Sequence, residues 1–402
     1  MDLDFATGLL VVGGVLAVAA GLSGLFHGTV LSSSVLSVAA GIALAVAGVL
    51  EIEAGEPTVL HVIELALVLT LFTDGLVAER ELVRMHWGKP VRALVVAMPI
   101  TMVLLALAAK LIFAELSWSE AFLLGAVLAP TDPVVTSTVV TAERVPSLIR
   151  HTLNLESGLN DGLALPFVLV LLVLATPGGS AGGEALDQLA ETLVGALIGV
   201  VLAFVAGRAL DHAPGGRLEP RYEGVYALGL ALLAFGLADA TYGNGLIAAF
   251  VAGVALGVAE RHLPDRFFHF NENVTTVFTV ITFVLFGALI VDTGYDGSVL
   301  AIAAFIAFTL LVARPAAVWL AFVGSGLPRA QLAFVAWFGP KGVASMLFAL
   351  LVVSSVVPER TLLFEAASFV ILASITAHGL TDTVGARWIE RRMEAAAAAE
   401  RG

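Results

Sequence analysis

Thirteen long apolar runs constrain what this 402-residue chain can fold into more than any other feature. They cover 7–25, 31–50, 58–78, 91–114, 120–141, 152–175, 188–210, 222–239, 243–260, 273–291, 297–323, 329–355 and 361–386. At about 1.5 Å per residue, roughly 20 residues of helix cross the ~30 Å hydrocarbon layer of a bilayer. Within that layer every backbone N–H and C=O must find its partner inside the protein, and a run of this length does so as a helix. The sequence therefore predicts an all-α polytopic membrane protein with about 13 transmembrane helices. Composition closes the soluble alternative. Hydrophobic residues make up 59% of the chain and charged residues 13%, against about 25% charged in a soluble domain. A net charge of -13 argues against nucleic acid as a partner. The absence of cysteine excludes disulfides, thiolate metal sites and cysteine nucleophiles.

Most of the 20 Lys and Arg residues lie in loops after odd-numbered runs, Arg80, Arg84, Lys89, Arg144 and Arg150 among them, or in the tail after residue 386. Loops after even-numbered runs are nearly free of them. Cytoplasmic loops carry the excess of basic residues, so the N-terminus is expected outside and the C-terminus in the cytoplasm, in the cell membrane. The opening MDLDF is acidic where a signal peptide would be basic. The expected organisation is one transmembrane unit, 1–386, followed by a short cytoplasmic tail, 387–402. Within the unit, 1–175 is a first repeat, 176–221 a linker helix and loop, and 222–386 a second repeat.

Two runs carry helix-breaking sequence at mid-membrane depth. The fifth reads GAVLAPTDPVVTSTVV (125–140), the twelfth AWFGPKGVASMLF (336–348). Proline removes a backbone hydrogen bond and clashes with the preceding turn, and glycine adds conformational freedom. Non-helical backbone at that depth is tolerated where it is buried in protein or lines a cavity. Each break falls about 120 residues into its half of the chain. The linker helix makes the second half enter from the opposite side. Two inverted six-helix repeats with broken helices point to a secondary transporter with a midplane site.

Charges gather around these breaks, although each costs about 2.5–3.5 kcal/mol at the membrane centre on insertion scales. Asp132 lies in the first break and Lys341 in the second. Thr131-Asp132-Pro133 has the chemistry of a helix start. Asp132 can offset positive helix ends, and Lys341 the negative ends of the second break. In the sixth run, LNLESGLNDGLALPF (153–167), Glu156 and Asn160 are four apart, as are Ser157 and Asp161. All four share one helix stripe that cannot face lipid. Arg314, inside the eleventh run, needs a buried carboxylate, and Glu156 is the best candidate. Asp74 stands near the inner end of the third run. Hard monovalent cations such as Na⁺ take oxygen ligands. The Thr131 backbone, Ser157, Asp132 and Asp161 offer them. A carboxylate that holds either H⁺ or Na⁺ couples their movements.

These residues carry a resemblance. APTDPV (129–134), ESGLNDG (156–162), FTDGL (72–76), the ARP of Arg314 and GPKGVAS (339–345) resemble sodium/proton antiporters of the monovalent cation:proton antiporter family, in the NhaP and sodium–proton exchanger branch. The resemblance covers nearly the whole membrane region. It implies a homodimer with crossed broken helices. It implies Na⁺ coordination by Asp161, Ser157, Thr131 and Asp74, with Asp132 as ligand or helix cap. Glu156 and Arg314 become a structural ion pair, with Asn160 and Lys341 in support. The Asn160-Asp161 pair implies electroneutral exchange of one Na⁺ for one H⁺. No cofactor is implied beyond the transported Na⁺ and H⁺. One departure is Lys341, where the family often has arginine: the charge is kept and the bidentate fork lost.

Alternatives stay open on the sequence. A K⁺/H⁺ or mixed Na⁺/K⁺ antiporter would use much the same ligands. An intramembrane aspartyl protease could pair Asp132 with Asp161, but the Gly-x-Gly-Asp setting of such enzymes is absent. A channel would need a continuous pore and a filter sequence. His61 and His378 could tune a pH response or serve as satisfied polar residues.

Overall fold

The computed structural model describes residues 5–23, 33–53, 56–84, 91–132, 145–177, 181–212, 219, 221–259, 265–295 and 297–399. Outside these lie Pro133 to Arg144, with the second half of the fifth run, and the loop positions Lys89, Arg217, Arg261 and Arg401.

The described chain is helical. In order the helices are α1 Phe5–Ser23, α2 Ser33–Val46, α3 Pro57–Arg84, α4 Met98–Ile112, α5 Trp118–Leu128, α6 Ser147–Ala175, α7 Ala181–Asp211 and α8 Glu223–Asp239. Then come α9 Gly245–Ala259, α10 Asp265–Thr293, α11 Val299–Phe308, α12 Arg314–Ala321, α13 Arg329–Trp337, α14 Val343–Val353 and α15 Arg360–Ala399. Every apolar run carries helix, but not always one continuous helix. Among the described residues, 7 helical stretches are long and apolar enough to cross a membrane alone. Shorter apolar helices such as Trp118–Leu128 and Val343–Val353 need neighbours to complete a crossing, so helix length by itself does not fix the number of crossings at thirteen.

Local chemistry sets the boundaries that matter for the site. α5 begins on a capping box: Glu120 N–H donates to Ser117 Oγ at 3.2 Å, and Ser117 N–H donates to Glu120 Oε2 at 2.7 Å. α5 stops at Leu128, just before Pro130. α13 stops at Trp337, and residues 338–342 are non-helical before α14 begins at Val343. Between α11 and α12 the chain makes a π-helical turn, Thr309–Ala313. Pro315 cannot donate to this ladder, and a π-turn absorbs the missing bond while re-aiming the residue that follows. That residue is Arg314.

The core is built by close helix approach. α9 packs on α3 and α7, α10 on α2, α5 on α4 and α6, and α14 on α15. At the α3–α9 crossing both helices present glycine. A Cβ at Gly253 would stand 2.2 Å from the Phe72 carbonyl oxygen, and one at Gly75 would stand 2.6 Å from that of Phe250. Small residues let helix backbones approach where lipid supplies no hydrophobic drive between helices.

The α3–α9 crossing is therefore expected to reject side chains. Gly253→Leu should cost about 1–3 kcal/mol or more through overpacking, read as a lower unfolding temperature in detergent. An unchanged melting curve would contradict the close approach.

Candidate functional site

The two breaks meet, and each supplies what the other's helix ends lack. The Asp132 backbone N–H donates to the Pro340 carbonyl at 2.9 Å. Its carboxylate Oδ2 accepts from Val343 N–H at 2.9 Å, capping the first turn of α14. In return Lys341 reaches the carboxyl end of α5. Its Nζ donates to the carbonyls of Ala129 at 3.2 Å and Pro130 at 3.1 Å. Lys341 is 1% exposed and Asp132 7%. A positive group at a helix C-terminus and a negative one at an N-terminus are the favourable placements. The charge of Lys341 was expected on the second break; it serves the first. Gly342 makes room for the cap, since a Cβ there would lie 2.2 Å from Asp132 Oδ2.

A third orphan end, that of α13, is met by Arg314. Its Nη2 donates to the carbonyls of Val335 at 3.4 Å and Phe338 at 3.5 Å. The same guanidinium lies against Glu156 in a two-pronged contact, 2.8 Å from Nη1 to Oε1 and 3.2 Å from Nη2 to Oε2. Glu156 is 2% exposed and Arg314 5%. Gly339 is where the guanidinium passes: a Cβ there would fall 1.8 Å from Arg314 Nε.

The rest of the α6 stripe turns to the first break. Asn160 Nδ2 donates to Thr131 Oγ1 at 2.8 Å and to the Thr131 carbonyl at 3.3 Å. The hydroxyls of Thr131 and Ser157 are 3.3 Å apart. Asp161, one turn after Ser157, is buried, and among the described residues its Oδ1 has no hydrogen-bond partner. Asn160 Oδ1 is likewise buried without one among the described residues. Asp74, Asp132 and Lys341 stand within electrostatic reach of Asp161. Asp74 is half-buried on α3 and is not at the helix end, because α3 continues to Arg84. Its neighbour Thr73 meets Thr275 of α10, hydroxyl to hydroxyl, at 3.2 Å.

The structure thus gathers Thr131, Asp132, Glu156, Ser157, Asn160, Asp161, Arg314 and Lys341 around the two breaks, with Asp74 on the adjoining α3. Ser374 on α15 was not singled out in the sequence, yet its Oγ accepts the Lys341 backbone N–H at 2.9 Å. A serine and a histidine four apart in an apolar helix were the available signal.

A family model for the transmembrane region of sodium/hydrogen exchangers matches residues 14–385. The chain belongs to the sodium/hydrogen exchanger family. Among curated relatives, the K⁺/H⁺ antiporter NhaP of Alkalimonas amylolytica is 25% identical over 341 residues, 81% of this chain and 57% of that protein. The Na⁺/H⁺ antiporter 2 of Zygosaccharomyces rouxii is 28% identical over 250 residues, 60% of this chain and 30% of that protein. This exchanger-family chain spans about half the length, or less, of the curated relatives it matches. The solved structure of the sodium proton antiporter MjNhaP1 from Methanocaldococcus jannaschii superposes with a TM-score of 0.76 at 18% identity. The match covers 94% of this chain and 96% of that one, and it establishes a shared fold.

Removing one partner of a buried ion pair strands the other. Glu156→Ala is expected to cost about 3–5 kcal/mol, seen as a large drop in unfolding temperature. A stable, fully active Glu156→Ala protein would show that Arg314 does not depend on Glu156.

Proposed function

We propose that this protein is a secondary transporter, not an enzyme, that exchanges Na⁺ for H⁺ across the cell membrane by alternating access. The observation that carries the proposal is the leftover carboxylate. Glu156 is matched by Arg314. Asp132 caps α14. Lys341 caps α5. Asp161 stays buried with an oxygen that has no hydrogen-bond partner among the described residues. A buried carboxylate is tolerable when neutralised, and either a proton or a monovalent cation can do that. Asp161 is then the residue for which they compete. Ser157, Thr131 and Asp74 complete the oxygen set for the cation, while Asn160 holds Thr131 and Asp132 acts mainly as a cap. The Asn160-Asp161 pair, which the family resemblance links to electroneutral exchange, supports one cation traded for one proton.

In this reading the transmembrane unit is 1–386, two repeats joined by a linker, working as a homodimer in the lipid bilayer. The Lys and Arg distribution supports an outer N-terminus and a cytoplasmic C-terminus. The names of the relatives favour one second reading on the cation, since both K⁺/H⁺ and Na⁺/H⁺ antiporters are among them. The protease alternative fits poorly with Asp132 Oδ2 already engaged by a backbone N–H.

Proton flux in proteoliposomes with an imposed pH gradient tests the assignment. Na⁺ or Li⁺ should drive it without generating a membrane potential. The apparent KM for the cation should rise as pH falls while the maximal rate holds, as competition for one site requires. Asp161→Asn should abolish exchange and keep its melting curve; undiminished exchange in that variant would sink the role of Asp161. Running Na⁺, Li⁺ and K⁺ side by side assigns the cation.

A further inference from the structure

One face of α15 holds both sides of the second break. The Lys341 backbone N–H donates to Ser374 Oγ at 2.9 Å. Ser374 Oγ is 3.2 Å from His378 Nδ1, and His378 Nε2 is 2.8 Å from the Trp337 carbonyl oxygen. One turn on, Thr381 Oγ1 accepts from the Trp337 indole N–H at 2.9 Å. Gly385 then leaves space for the Phe338 ring, whose Cζ would be 2.3 Å from a Cβ there. Ser374, His378, Thr381 and Gly385 are spaced four, three and four residues apart, which is a single helical stripe. Trp337 is the last residue of α13, and Lys341 lies two residues before α14. Ser374 and His378 are 0% and 3% exposed.

Donor and acceptor accounting gives this contact a direction. Neutral imidazole has one N–H and one lone pair. With the proton on Nε2, His378 donates to the Trp337 carbonyl and Nδ1 accepts the Ser374 hydroxyl, whose oxygen accepts from Lys341 N–H, at the cost of an Nδ1 lone pair 2.7 Å from the Ser374 carbonyl oxygen. With the proton on Nδ1 instead, the imidazole bonds the Ser374 carbonyl of its own helix, 2.7 Å away. Its Nε2 lone pair would then face the Trp337 carbonyl oxygen and the His378 link to the end of α13 would be lost, while Ser374 Oγ would still accept from Lys341 N–H and Thr381 from the Trp337 indole. The charged groups acting on His378 are Arg314 and Lys341, both positive. Asp382, buried one turn further along α15, is the nearest acid on its own helix.

We propose that Ser374 and His378 are positioning residues for exchange: a neutral staple that fixes the span of the break between α13 and α14. The proposal rests on the antiporter reading above. Lys341 transmits the effect. Its backbone is held by Ser374 while its Nζ holds the end of α5. Two residues on, Val343 N–H holds Asp132. When the staple is released, the charge of Lys341 and the Asp132 cap lose their fixed distance from Asp161.

The test uses the full chain with Ser374→Ala, His378→Leu and His378→Gln. Glutamine places an N–H donor where Nε2 stands and cannot titrate. Deuterium exchange of the 338–343 backbone amides, read by mass spectrometry, should quicken about tenfold in Ser374→Ala and His378→Leu, the effect of one lost buried hydrogen bond. In liposomes both should raise the apparent KM for Na⁺ several-fold. His378→Gln should return both readouts to within about twofold of the wild type, with a superimposable pH profile. The staple is overturned if Ser374→Ala and His378→Leu leave exchange and KM unchanged, or if His378→Gln is as impaired as His378→Leu. It is also overturned if His378→Gln shifts the pH profile. Should His378→Leu fail to fold, Ser374→Ala, which deletes one oxygen, decides the same question. If wild-type liposomes move no cation, the antiporter reading falls, and the deuterium exchange still decides whether the staple exists.

Discussion

A helix that stops inside a membrane exposes carbonyls or N–H groups that no water or lipid can satisfy. This protein stops helices there, and the rest of its site follows from how those ends are met. α5 is met by Lys341, α13 by Arg314 and α14 by Asp132. Two of these three contacts cross from one break to the other, so neither break is stable as a local feature. The charges that looked expensive in the sequence are the means by which interrupted backbone is tolerated at that depth.

This division of labour also isolates the chemistry. A positive charge on a helix end and a negative charge on another are occupied by backbone. The Glu156–Arg314 contact is closed on both prongs. What remains is Asp161, with hydroxyls, an amide and Asp74 around it. On the proposed reading this site changes its charge by one when it loads or unloads, and the scaffold charges need not move to compensate. The scaffold is dense where it must hold still, as the clearances at Gly339 and Gly342 show.

Much of this was legible from residue types and spacing. Apolar run length gives helices, Pro and Gly give the breaks, and the i, i+4 stripe of Glu156, Ser157, Asn160 and Asp161 gives the residues that must leave the lipid. Periodicity says which face a residue occupies, but not what lies opposite. For that reason Lys341 was expected to serve its own break and instead serves α5, more than 200 residues away. Asp74 does stand near the end of the apolar span, which runs Pro57–Val77, while the helix itself continues to Arg84. The π-turn before Arg314 has no composition signal beyond Pro315. Ser374 and His378 look like isolated polar residues until the fold brings the second break against them.

The length of α15 gives the staple a mechanical side. Its 40 residues make a rod roughly 60 Å long, about twice the depth of the hydrocarbon layer, with no proline to bend it. The stripe that grips the break sits in its middle third, and the charged stretch from Arg387 onward continues the same rod beyond the apolar run. Ala386 and Ile389 are buried against α13, and Gln331 meets Met393 there, so a twist of that charged end reaches Ser374 and His378 through unbroken helix and reaches α13 directly.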